Sequence, residues 1–375
     1  DNLKLRVGYG KTGNSAVSPY QTKGQLALRH YVFNNGSSEY IGYAPSVMAN
    51  DQLTWETTDQ WNVGVDFGFL KNRINGTVEF YLQNTKDLLL KRQLPVVSGF
   101  SSVMSNVGST RNKGIEITLN TRNIMNRNFT WSTDLTFSAN KEEIVELYNG
   151  KTDDVGNLWF IGQPIDVYYN YKKIGIWQNT ENDLAEMAKF NEKGANFKPG
   201  SIRLEDVDGD YKITEEDKQI LGSVRPKFVA SMVNNFEFKG FDLSVFLYAS
   251  VGGLLRNNIE FMEKPGRGNT VKVDYWTPTN PTNAFPRPSV DVEKLDYIST
   301  LGYDKADFLR IRNITLGYTL PEMWSKKVLM DKIRIYLSAN NPAIFTNFTG
   351  IDPEGANGRT APSYSTWMFG INLSM

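Results

Sequence analysis

The chain has 375 residues, with 41 Lys+Arg against 41 Asp+Glu, one histidine and no cysteine. Balanced charge offers no basic surface for nucleic acid. The missing cysteines exclude disulfides, iron–sulfur ligation and thiol catalysis, and His30 alone leaves no multi-histidine metal site. Mean hydropathy is −0.41 while aromatic residues reach 13%, and no apolar run approaches the roughly 18 residues of a membrane helix. That combination is expected of an outer-membrane barrel, with aromatic girdles outside and a polar lumen inside. The chain opens at Asp1 directly on a strand-like segment with no signal peptide, as a piece of something longer would.

The first element, Leu3–Tyr9, alternates Leu3, Leu5, Val7 and Tyr9 outward with Lys4, Arg6 and Gly8 inward. It runs into Gly8-Tyr9-Gly10-Lys11-Thr12-Gly13, which fits the dinucleotide pattern G-x-G-x-x-G. That fingerprint must open a helix and be followed about 20 residues on by an acidic residue for the ribose. Here NSAVSPYQTKG has no helical period, and LALRHYVF near position 30 has no acid. The glycines are therefore expected to end the strand at Gly10 and Gly13 and to fit a crowded wall. Period-2 alternation then marks 60–70, 74–84, 109–122, 129–140, 228–238, 241–250, 308–320, 332–345 and 364–375. These runs have about the length of tilted membrane strands.

Gaps alternate in length. Residues 10–59, 85–108, 141–227, 251–307 and 346–363 are long, whereas 71–73, 123–128, 239–240 and 321–331 are short. Short periplasmic turns and long extracellular loops are the rule for outer-membrane barrels. The expected fold is all-β, a transmembrane antiparallel barrel of about ten strands over 1–375, with the long loop 141–227 extracellular.

Several ordered segments resemble the SusC family of TonB-dependent outer-membrane transporters. The most specific are ADFLRIRNITLGYTLP (306–321) and KIRIYLSANNPAIFTNFTGIDPE (332–354). Others are LKLRVGYGKTGN (3–14), NVGSTRNKGIEITL (106–119), KPGSIRLEDVDGDYKITEEDKQILGSVRPKF (198–228), FKGFDLSVFLYASVGG (238–253) and DYWTPTNPTNAFPR (274–287). The resemblance covers essentially the whole chain. It implies the C-terminal part of a barrel of the 22-stranded, plugged class, with the N-terminal plug domain absent. It also implies TonB-driven import of oligosaccharides or peptides beneath a SusD-like surface lipoprotein, in the outer membrane of a Bacteroidetes-type bacterium. Where the family usually ends on an aromatic residue, this chain ends on Met375.

One stretch carries ligand chemistry. DVDGDYKITEED (206–217) resembles a twelve-residue calcium loop. Asp206, Asp208 and Asp210 stand at positions 1, 3 and 5, Lys212 offers its carbonyl at 7, and Asp217 stands at 12. Hard cations take six to eight oxygens, and carboxylates two apart in a turn converge. Tyr211 replaces the usual glycine at position 6, and Asp replaces the usual bidentate Glu at position 12. The competing reading is an acidic turn whose Asp side chains bond their own backbone. The cofactor expected is at most a structural Ca2+.

Trp159, Phe160 and Trp177 are of a type that stacks on sugar rings and equally packs a loop. No paired carboxylates are marked out for glycoside hydrolysis, and a Ser-His-Asp arrangement would rest on His30 alone. No enzyme is expected. The rival readings are a siderophore or cobalamin receptor, and a secreted all-β carbohydrate-binding protein or glycoside hydrolase.

Overall fold

The computed structural model describes residues 1–15, 20, 22–36, 38–100, 102–257, 273–289, 295–355 and 363–375. Ten strands form one sheet: β1 (Asn2–Asn14), β2 (Glu56–Phe69), β3 (Ile74–Lys86), β4 (Ser109–Met125), β5 (Phe129–Glu146), β6 (Phe228–Phe238), β7 (Phe241–Val251), β8 (Phe308–Thr319), β9 (Lys332–Thr346) and β10 (Thr366–Ser374). Each pairs with its neighbours in chain order, giving an antiparallel meander from β1 to β10. Every strand expected from the alternation is present.

Two compact units divide the chain, one of residues 1–117 and 138–165 and the other of 118–137 and 166–375. In the first, Leu5 pairs with Val65, Val7 with Val63 and Tyr9 with Trp61. Leu3, Leu5, Val7, Tyr9 and Trp61 are all more than half exposed. In the second, Ile335 pairs with Ile371, Leu337 with Phe369 and Ala339 with Trp367, and Trp367, Phe369, Ile371 and Leu373 are again mostly exposed. Cross-strand partners share a face, so each unit presents an apolar face that in water would drive aggregation and in lipid is solvated.

The opposite face is polar and internally paired. Arg6 reaches Asp66 at 2.9 Å and Glu79 at 3.6 Å. Arg334 Nε donates to Asp242 at 2.8 Å, and Asn313 donates to Ser338 and Asn340. Charges of one sign on this face would repel; here opposite charges meet.

The strand expected to end at Gly10 continues to Asn14, with Gly10 paired to Gln60 and Gly13 to Thr57. Glycine weakens a strand but does not forbid extended backbone, and β2 supplies ladder partners as far as Glu56. The wall is open at Gly8 and Gly10, where an added Cβ would meet nothing within 4 Å, and crowded at Gly13, where it would sit 3.0 Å from the Trp55 ring. The segment 16–19 and residue 21, part of the stretch read as non-helical, lie outside the described residues.

Crowding appears also at glycines facing long side chains. A Cβ on Gly64 would sit 2.8 Å from the Arg6 guanidinium, and one on Gly114 2.5 Å from the Tyr81 hydroxyl. Gly317 is covered by Arg334 and Asp242, and Gly370 by the Tyr336 ring.

Short turns join β6 to β7 at Lys239 (φ 46°) and Gly240 (φ 88°), the two left-handed residues of a type I′ hairpin. Among the described residues no helix is long and apolar enough to cross a membrane. The long connections carry the dry cores and structure of their own. Gln25–Phe33 pairs with Ser38–Val47, and Leu89–Gln93 with Ser102–Asn106. Within 147–227, helix α1 (Glu181–Glu192) is capped by Thr180, which accepts from the Asp183 N–H. Its Met187 and Phe190 pack on Trp177 and Phe197. Beside them Ile176, Ile202, Leu204, Trp276 and Leu301 form a second core.

Candidate functional site

The turn from Asp206 to Asp217 is built by side chain–backbone hydrogen bonds. Asp206 accepts from the N–H groups of Gly209 (2.8 Å) and Tyr211 (2.9 Å). Asp208 accepts from Asp210 N–H, and Asp210 from Lys212 N–H. These bonds curl the chain until oxygens of Asp206, Asp208 and Asp210 lie within 4.8 Å of one another. At Asp208 the backbone N–H of Asp210 favours the carboxylate, but burial and the charges of Asp210 and Asp217 outweigh it, leaving the pKa above the usual carboxylate range.

Tyr211 takes the position where calcium loops carry glycine, and its φ of 62° is the left-handed conformation that position demands. Its ring offsets the strain by packing edge-on to Phe190 at 5.5 Å, beneath Lys189 at 5.0 Å. The turn is thereby fastened to α1.

Asp217 is not part of the converging group. It is 1% exposed, and its two oxygens accept from Val207 N–H (2.8 Å) and Thr214 N–H (2.7 Å). It fastens the two ends of the turn and completes a capping box with Thr214. Lys212 is exposed, and its carbonyl remains the position-7 candidate. The structure therefore brings three of the five expected ligating residues to one point through their carboxylates. Three carboxylates in one turn are a donor set suited to a hard cation.

The stacking aromatics resolve as packing in two cases. Trp177 is 1% and Phe160 6% exposed, and the Arg203 guanidinium covers the Trp177 ring at 4.5 Å. Trp159 is half-buried. His30 lies exposed on the 25–47 hairpin, its Nδ1 2.6 Å from Glu39.

A buried ion cluster went unread in the sequence. Arg310 on β8 donates to Asp352 at 2.7 Å, with side-chain exposures of 3% and 7%. Its Nε lies 2.9 Å from Glu354 but off the N–H line, so that contact is electrostatic only. Arg312, two residues along β8, also pairs with Glu354, and Ser363 donates to Asp352. Burial works against the Asp352 carboxylate. Ser363, the Glu354 N–H and Arg310 outweigh it and hold the pKa below the usual range. The signal lay in the paired segments FLRIRN and TGIDPE, whose charges complement each other in number and spacing.

Residues 1–342 match the family described as TonB dependent receptor-like, beta-barrel. The chain belongs to this family. The TonB-dependent receptor P3 of Formosa agariphila is 32% identical over 402 residues, covering 99% of this chain and 39% of that protein. The TonB-dependent receptor SusC of Bacteroides thetaiotaomicron is 30% identical over 394 residues, covering 99% and 37%. A solved structure of the RagAB peptide transporter superposes with a TM-score of 0.78 at 26% identity, over 99% of this chain and 40% of that one. The chain thus spans about two-fifths of the length of the relatives it matches. These TonB-dependent proteins are receptors and transporters, not enzymes, and this barrel is an outer-membrane protein.

Proposed function

We propose that this barrel is the wall of a SusC-like importer that takes up oligosaccharides or peptides across the outer membrane, energised by TonB and served by a SusD-like surface lipoprotein. The supporting observation is the SusC relative, matched over 99% of the chain, together with the RagAB peptide-transporter fold at a TM-score of 0.78. Binding and gated passage need a polar, charge-balanced lumen facing solvent and an apolar face toward lipid, and the two faces of the sheet have that chemistry. The long connections, with their own cores, lie on the extracellular side by the rule that separates short turns from long loops. The test is fractionation of cells producing the full-length protein. It is expected in the outer membrane, copurifying with a lipoprotein, and deletion of its gene is expected to abolish uptake of its nutrient. Recovery as a soluble monomer sinks the reading.

The turn at 206–217 serves this function as a structural clamp. Asp206, Asp208 and Asp210, with the Lys212 carbonyl, hold Ca2+ in this reading, and Asp217 shapes the turn from behind. Replacing Asp206 and Asp208 with Ala is expected to remove the bound calcium measured by elemental analysis of the purified protein. Unchanged occupancy rejects the site.

A further inference from the structure

The outward face of the first five strands is charged at one end only. In a strand every second side chain shares a face, so Lys11 lies with Leu3, Leu5, Val7 and Tyr9. Cross-strand pairing carries that face to Asp59 on β2 and on to Asn84 on β3. Arg111 on β4 donates to Asn84 Oδ1 at 3.0 Å, and Glu143 on β5 lies 3.6 Å from Arg111. These residues form one row across five strands, about 19 Å long at roughly 4.8 Å per strand. Lys86, Lys113 and Lys141 stand one step above or below it on the same face, by alternation from Asn84, Arg111 and Glu143. Among the described residues of β1 to β5 these are all the charges the face carries, five cations and two carboxylates. Lys11 lies 3.9 Å from Asp59, and Lys141 3.5 Å from Glu143, so the two carboxylates are shared among Lys11, Arg111 and Lys141. Lys86 and Lys113 are exposed and have no ion-pair partner among the described residues.

The row has a fixed level in the membrane. Directly below it stand Trp61, Leu82 and Tyr9, with the Tyr9 and Trp61 rings 4.7 Å apart, the aromatic belt of a lipid interface. The charged end is the one that leads into the long connections after Asn14 and Lys86, the extracellular side by loop length. The cations therefore face lipid at the headgroup level of the outer leaflet. We propose that this row binds a phosphorylated glycolipid of that leaflet, with phosphate on Arg111, Lys86 and Lys113 and acyl chains along Trp61, Leu82 and Phe80. A guanidinium fork matches phosphate geometry, and lysines add point charges. A hollow of about 240 Å³ beside Asp59, Asn84, Lys86 and Arg111 admits such a group. The excess of cations over carboxylates calls for an anion, and a zwitterionic headgroup would bring a cation of its own. A soluble anion has no chains to cover the aromatic row, and a solute crossing the lumen never meets this face. The inference goes beyond import and holds whatever the barrel carries.

The test uses the full-length protein, purified in detergent and delipidated, with bound lipid counted by native mass spectrometry. The probe is lipid A carrying its phosphates. The comparisons are the same lipid dephosphorylated, phosphatidylethanolamine, and inorganic phosphate. Phosphorylated lipid A is expected to bind about tenfold or more tightly than each comparison. Lys86→Gln combined with Lys113→Gln breaks no ion pair and is expected to weaken that binding by about tenfold or more. Asp59→Asn removes a competing carboxylate at constant shape and is expected to tighten it several-fold, an effect that damage to the fold does not produce. Equal affinity for the dephosphorylated lipid or for phosphatidylethanolamine overturns the proposal. So does unchanged affinity in the double lysine variant, or failure of Asp59→Asn to tighten binding. Inorganic phosphate bound as tightly as the lipid overturns the lipid as occupant.

Discussion

Replacing Arg310 by Met removes one charge from the ion cluster at nearly constant volume. Arg310 is 2% exposed, and the Asp352 side chain paired with it is 7% exposed, so solvent does little to screen the carboxylate left behind. Breaking one side of such a pair costs about 3–5 kcal/mol. The lower end applies, because Asp352 retains Ser363 and the Glu354 N–H, and Glu354 retains Arg312. The cost falls on the segment from Thr349 to Gly355, which the cluster ties to β8. At about 1.4 kcal/mol per decade, roughly 3 kcal/mol is about a 100-fold rise in its opening constant. Hydrogen exchange read by mass spectrometry on peptides covering 347–355 measures this directly. The double variant Arg310→Met, Asp352→Asn is expected to recover most of the protection, since no uncompensated buried charge remains. Exchange unchanged in the single variant, or no recovery in the double, refutes the assignment of the cluster as the fastening of this segment.

Acid acts on the same cluster. Because the Asp352 pKa is depressed by folding, its contribution is fully present above the unfolded carboxylate value of about 4 and is lost as pH falls through the lower folded value. Exchange of the segment, corrected for intrinsic rate, should stay flat from neutrality to about pH 5 and rise only below about pH 4; a rise centred near pH 6 contradicts this. Asp217→Ala strips the partners from two backbone N–H groups, Val207 and Thr214, and is expected to cost about 2 kcal/mol locally, seen as faster proteolytic nicking of 205–218. Equal nicking rates count against that role. Gly114→Val drives a branched side chain into the Tyr81 ring and should lower barrel stability by about 1–3 kcal/mol, measured by the temperature at which the folded band is lost in heat-modifiability gels. An unshifted midpoint removes the steric argument.

The wall was legible in the sequence because a single antiparallel sheet between two solvents writes its register into strict alternation. Leu3-Leu5-Val7-Tyr9 and Trp367-Phe369-Ile371-Leu373 are read from period alone. Strand ends were less legible, since pairing with β2 carries β1 through glycines that look like an exit. The helix inside the long connection left a signal in Thr180-Glu181-Asn182-Asp183 followed by Leu184 and Met187, which a search for period-2 alternation passes over. At the acidic turn, spacing placed Asp206, Asp208 and Asp210 together. The turn of Asp217 toward backbone N–H groups depends on which donors fold back upon it, and spacing does not encode that. The Arg310–Asp352 pair joins residues 42 apart in sequence, a distance over which local pattern is silent.

The glycines under Arg6, Tyr81, Arg334 and Tyr336 have a consequence for how such a wall can change over generations. Each long side chain lies down across the strand beside it because the position beneath is empty of a side chain. Neither member of a pair is then free to vary alone. Enlarging Gly370 requires a smaller residue at 336, and enlarging Gly64 requires a shorter one at 6. Substitutions on the polar face should therefore appear across relatives in matched twos, one position growing as its neighbour shrinks, while the apolar face drifts residue by residue.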